Sequence, residues 1–259
     1  MSKRARVLVG LGSAMLACGV YGWCFGFQTV IALETRYMAR KTPVVNKIPV
    51  ELADTSVSRA SGKKLSYFGY EFEIPWDDID ESKTRVVGKD KVVIAFRSGN
   101  VLSVWSGPPR EFVKIVLANS KVGPDTFRQI CGDEALQSDY ALHRLILETT
   151  PDKITPFVSR ETAARQVVLV LMKGISAPRG SDSGIFLVQA GEFKGFQYGH
   201  PPNSSGLSLE LFADSGSLDF IFIQKANGPT SISQADINRV LRTLKKDTAT
   251  TPTAATLSN

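Results

Sequence analysis

Charge is missing from the start of this chain. Between Val7 and Leu33, over 27 residues, no side chain is ionised at neutral pH. A helix of that length rises about 40 Å, enough to cross a roughly 30 Å hydrocarbon core with some tilt. Histidine and cysteine are also scarce, at two and three residues. Cys18 and Cys24 fall in the apolar run, which leaves Cys131 alone in the remainder and excludes an intramolecular disulfide there. Absent too are HExxH, paired CxxC and GxxxxGK[ST], so zinc-protease, zinc-ribbon and P-loop chemistry have no motif to rest on, and no metal or cofactor is expected.

The apolar run has competing explanations. Lys3, Arg4 and Arg6 before it resemble the basic part of a secretory signal, and Ala17-Cys18-Gly19 resembles a cleavage site, or with Met15-Leu16 a lipoprotein site. Apolarity nevertheless continues through Val20, Trp23, Phe25, Phe27, Val30 and Ile31, which favours an uncleaved anchor over a secreted protein. Gly10-Leu-Gly12 begins a dinucleotide-loop pattern, but Met15 stands where its third glycine belongs. The partner expected for Val7 to Leu33 is thus the lipid bilayer, with a homodimer through Gly22 and Gly26 as a further expectation. The short basic tail places the N-terminus inside and the rest of the chain on the extracytoplasmic side.

The formal net charge of +6 invites a nucleic-acid reading until it is located. Residues 1–41 hold six Lys/Arg and one Glu, and residues 42–259 hold 25 basic against 24 acidic side chains. A basic face on the folded part is therefore not expected, and nucleic acid is not an expected partner.

After residues 1–41, the stretch 42–64, with Pro43, Pro49 and scattered Ser and Thr, reads as a linker. Residues 65–246 read as one α+β domain, and 247–259 as a disordered tail. Tyr70, Phe72 and Ile74 alternate with Glu71 and Glu73 as in a half-buried strand. Val92 to Phe96 and Val101 to Trp105 form a hairpin turned at Gly99. Helices follow near Phe112, from a cap at Asp125, from Ser138 and from Ser159. Strands then return at Ile185 to Ala190, Phe193 to Tyr198, Leu207 to Leu211 and Leu218 to Gln224, the last apolar on both faces. Ser233 caps a closing helix with Ile237, Val240, Leu241 and Leu244 in one stripe. This order predicts an antiparallel sheet packed between helices.

The strand Tyr67-Phe-Gly69-Tyr-Glu-Phe72-Glu-Ile-Pro75-Trp76, the later meander and the capped last helix resemble the PsbP-like family across about residues 65–246. That resemblance implies an α/β/α sandwich and a non-catalytic accessory protein of a membrane-associated complex. It carries no functional motif onto particular residues, and the helical block from Arg110 to Lys173 departs from it.

Few residues offer chemistry. Cys131 with His143 is a conceivable nucleophile and base, although Cys131 shares a helical face with Phe127 and Ile130. Asp77, Asp78, Asp80 and Glu81 crowd one loop but miss the calcium-loop spacing. The loop holding Tyr198, His200 and Asn203 is the best candidate for binding, because rigid strands flank its aromatic, imidazole and proline residues. The expectation is a membrane-anchored accessory or binding module at the cell envelope, assisting another envelope protein. The alternatives are an envelope hydrolase using Cys131 and His143 or the Asp77 to Asp80 loop, and a ligand-sensing module.

Overall fold

A computed structural model describes residues 3–53, 56–59, 62–119, 123–178, 180–201, 206–225 and 231–247, with side chains from Cys18 onward apart from Asn119. In chain order the elements are α1 (Lys3–Lys41), β1 (Val50–Glu51), β2 (Lys63–Tyr67), β3 (Tyr70–Ile74), β4 (Arg85–Val87), β5 (Lys91–Ala95), β6 (Val101–Gly107), α2 (Glu111–Asn119), α3 (Pro124–Cys131) and α4 (Asp139–Glu148). Then come α5 (Arg160–Ser176), β7 (Ile185–Ala190), β8 (Phe193–Tyr198), β9 (Gly206–Ala213), β10 (Gly216–Ile223), α6 (Gln234–Thr243) and β11 (Lys245–Lys246). Short 3-10 turns lie at Pro43–Asn46 and Pro151–Lys153. Among the described residues the fold is α+β with six helices. It divides into two compact units: residues 1–48 with 145–177, and residues 49–144 with 178–259.

Unit 1 is helical. Arg160 donates to the Trp23 carbonyl at the start of α5, and Met38 and Ile175 line one cleft at its end, so the second half of α1 and α5 run side by side in the same direction. Gln28, Ala32, Thr35 and Ala39, spaced at about one turn, form the buried face of α1. Gln28 donates to the Val158 carbonyl at 3.2 Å. Ser159 caps α5 through the Thr162 N–H, as its position before the apolar run predicts.

The spanning helix expected between Val7 and Leu33 is corrected here. Among the described residues no helix is long and apolar enough to cross a membrane. Counting charges alone overlooked Gln28 and Thr29 inside the run, and Glu34, Thr35 and Arg36 directly after it. Gln28 and Thr35 belong to a face that packs on protein, where both are buried and hydrogen-bonded, whereas Glu34 and Arg36 are exposed.

Unit 2 is built on an eight-stranded sheet in the order β1-β7-β8-β9-β10-β6-β5-β4. Its pairs are antiparallel except β1 with β7, which is parallel, so the sheet is mixed and the wholly antiparallel expectation is also corrected. A second sheet, β11-β3-β2, lies over one face with α6. The alternation predicted for Tyr70, Phe72 and Ile74 is observed, all three buried. Their core includes Val92, Ile94, Leu209, Leu211, Leu218 and Phe220, with Phe72 edge-on to Phe220 at 5.1 Å. Ile237, Val240, Leu241 and Leu244 close it from α6, whose Ser233 and Asp236 form a complete capping box. Gly195 in β8 is needed for close approach, since a Cβ there would meet the Glu210 carbonyl oxygen at 1.9 Å.

The expected linker is built into both units. Val44 and Val45 are buried, β1 pairs with β7, and Asn238 and Arg239 of α6 hold the carbonyls of Ser56 and Ser58. The tail expected at 247–259 lies outside the described residues beyond Asp247.

Candidate functional site

The opposite face of the large sheet carries the polar residues, because side chains alternate along each strand. Phe196 and Tyr198 of β8, Glu210 and Phe212 of β9 and Asp219 of β10 share that face, beneath residues of α2 and α4. Ser138 caps α4 through the Ala141 N–H, and Asp139 accepts the Val113 N–H of α2 at 2.9 Å, tying the two helices together. The Tyr198 hydroxyl donates to Glu210 Oε2 at 2.8 Å, and His143 Nε2 lies 3.7 Å from the same oxygen. His143 Nδ1 is 2.9 Å from the Asp139 carbonyl, which can only accept, so that nitrogen carries the hydrogen. The imidazole lies against Phe112 at 3.9 Å and Phe212 at 4.8 Å between centroids.

Burial, then the Glu210 charge and hydrogen bond, push the Tyr198 hydroxyl well above the ordinary range. Asp219 keeps some exposed surface, yet its carboxyl lies among protein atoms. Desolvation, followed by the negative charges of Glu210, Glu111 and Asp139, raises it well above the ordinary value. Asp219 stands in register with Glu210 across β9 and β10. Alternation along β9 sets Glu210 on the face opposite Leu209 and Leu211, and residues of α2 and α4 cover that face. Asp219, an acid within a strand apolar on both sides, was the available signal.

Tyr198, expected in a binding loop, is buried in β8. His200 follows it, half-buried, with its ring 5.6 Å from that of Phe186. Asn203 lies outside the described residues. Cys131 is buried on α3 beside Phe127, whereas His143 belongs to α4 and the Glu210 group. In the acidic loop, Asp78 accepts the Ser98 N–H at 2.8 Å, and Asp80 pairs with Lys83 at 2.8 Å. Lys83 and Ser82 hold the Asp80 carboxyl down at about 2, so that carboxylate is engaged in its own turn. Among the described residues no group of three His, Cys, Asp or Glu side chains has metal-holding geometry.

Unit 1 holds a buried cation. Lys173 of α5 is fully enclosed and donates to the carbonyls of Lys47, Leu147 and Thr149, one for each ammonium hydrogen. Burial, with the Lys153 charge, lowers it from 10.5 to about 8.

The outer face of α1 carries an exposed apolar row. Val20, Trp23, Phe27 and Val30 recur at three and four residues, followed by Leu33 and Tyr37, and Trp23 is 82% exposed. On the same unit Phe157 is 79% and Ile175 86% exposed. Arg36, Arg40 and Lys41 are exposed at the end of α1. Unit 1 carries eleven Lys/Arg against four Asp/Glu, a net +7, and unit 2 carries twenty against twenty-one.

No family model matches the chain, and neither does any curated protein or solved structure compared with it.

Proposed function

We propose that this protein is a non-catalytic accessory or binding module that sits on an anionic membrane surface through unit 1. The observation that carries the reading is the exposed row on α1, from Val20 through Trp23, Phe27 and Val30 to Leu33 and Tyr37. An apolar face of this extent marks an interaction surface. Aromatic and aliphatic groups beside Arg36, Arg40 and Lys41 suit the headgroup boundary of a bilayer, where rings and alkyl stems bury while cations meet anionic lipid. The concentration of net positive charge in unit 1 supports the same partner. In this reading α1 lies along the surface rather than through it. The resemblance of the Tyr67 to Trp76 stretch to accessory proteins supports a binding role for unit 2, as does the burial of Cys131.

Flotation of the full chain with vesicles tests the reading. The protein is expected to rise with phosphatidylcholine vesicles containing phosphatidylglycerol and to be partly released at about 0.5 M salt, where the Debye length falls below about 5 Å. Trp23→Ser with Phe27→Ser should abolish flotation while leaving the circular-dichroism spectrum unchanged. A chain that stays at the bottom with anionic vesicles, or floats equally with the double substitution, would overturn it.

A further inference from the structure

Unit 2 contains a cavity of about 550 Å³, beside the starts of α2 and α4 and the turns at Glu192 and Asp214. Its size lies within the range of small-molecule sites. Two aromatic rings line it: Tyr140, stacked on Phe196 at 5.4 Å with 16° between planes, and the buried Phe212. Four exposed charged side chains complete it, Arg110 and Lys194 of one sign and Glu192 and Asp214 of the other, beside the buried carboxylate of Asp139, which already accepts the Val113 N–H. Among the described residues none of these four has an ion-pair partner; Arg110 has only the Leu136 carbonyl, at 2.8 Å. Among the described residues Arg110 is also one of two non-glycine residues with positive φ, at 61°. Backbone strain of this kind persists where a side chain must be held in a particular place.

We propose that this cavity binds a small zwitterion with an apolar body, the free ammonium and carboxylate of an amino acid or of a short peptide. Arg110 and Lys194 take the carboxylate, Glu192 and Asp214 take the ammonium, and the apolar part lies over Tyr140 and Phe212. Charged hydrogen bonds of both signs in one site select against ligands that lack either end. The inference stands apart from the membrane reading, since every residue it uses belongs to unit 2.

Titration calorimetry of the full chain tests it with L-phenylalanine and the tripeptide Gly-Gly-Phe as probes, against N-acetyl-L-phenylalanine and L-phenylalaninamide. At least one zwitterion is expected to bind, and which one distinguishes a free amino acid from a peptide. Each blocked form should bind at least about tenfold more weakly, the loss expected for one charged contact. Arg110→Gly removes the guanidinium while placing glycine where φ suits it, so affinity should fall at least about tenfold without a drop in the thermal midpoint. Asp214→Asn, on an exposed turn, supplies the same test for the ammonium end and decides the matter if Arg110→Gly fails to fold. Absence of heat from either zwitterion up to about 10 mM, equal binding of the blocked forms, or wild-type affinity in both variants would overturn the assignment.

Discussion

Asp219 stands in β10 beside Glu210, and its raised pKa gives stability a direction with pH. Below the ordinary value of 3.8 both folded and unfolded chains hold this proton; above it the unfolded chain loses the proton first. Stability is therefore lost as pH rises from 3.8 toward the folded pKa, at no more than about 1.4 kcal/mol per unit. Asn does not titrate, so Asp219→Asn should gain on the wild type between pH 4 and pH 7.5 in urea midpoints. A gap that does not change with pH would refute a buried proton. Lys173 behaves in the other sense. Its folded pKa of about 8 is below 10.5, so its contribution is present above 10.5 and lost as pH falls to about 8. Relative to Lys173→Met, the wild type should gain up to about 3 kcal/mol between those values, and parallel curves for the two proteins would contradict this. Asp219 was visible in the sequence as an isolated acid in an apolar strand. Lys173 was not, because its acceptors come from residues 47, 147 and 149, which only folding gathers.

At the scale of elements, α6 is the clearest case of local sequence agreeing with the fold. Its stripe of Ile237, Val240, Leu241 and Leu244 and its Ser233 cap are visible within the stretch from Ser233 to Leu244, and all four apolar side chains are buried. Leu241→Ala should cost roughly 2 to 5 kcal/mol through lost burial and the cavity left behind. An unchanged thermal midpoint would mean the stripe is not core. The cap expected at Asp125 is instead Gly123, with Pro124 in the first turn, where a missing N–H costs nothing. β4 and β11 escaped notice because strands of three and two residues hold too few side chains for an alternation. For α1 the error had a different source. A run without charges resembles a spanning helix, but Gln28 and Thr35 make one face suited to protein, and that face was legible only once its partners were in place.

At the scale of the whole molecule, each unit is discontinuous in sequence. Residues 145–177 join residues 1–48, while residues 178–259 return to residues 49–144. Removing residues 1–41 should therefore melt α5, by exposing Ala163, Leu169 and Val170, while unit 2 keeps its cooperative transition. Hydrogen exchange would read this as lost protection in residues 160–176 with protection retained in β8, β9 and β10. Loss of protection throughout would show that the units do not fold separately. The charge segregation is equally a property of the molecule: counted along the chain it belongs to residues 1–41, but Lys47 and residues 145–177 enlarge it in unit 1.

By itself, the sequence determined the features encoded within one turn or one strand: the caps at Ser138, Ser159 and Ser233, the alternation of β3, the hairpin at Gly99 and the sheet strands from Ile185 onward. Each depends on neighbours a few residues apart, so local periodicity contains it. Only the tertiary structure decided which faces are covered. It turned Glu210 toward α2 and α4, placed Tyr198 in the interior, enclosed Lys173 among three carbonyls and set one face of α1 against protein while leaving Trp23 and Phe27 bare. Those outcomes depend on residues from tens to more than a hundred positions apart, and burial of a polar group is settled by whether such distant partners arrive to satisfy it.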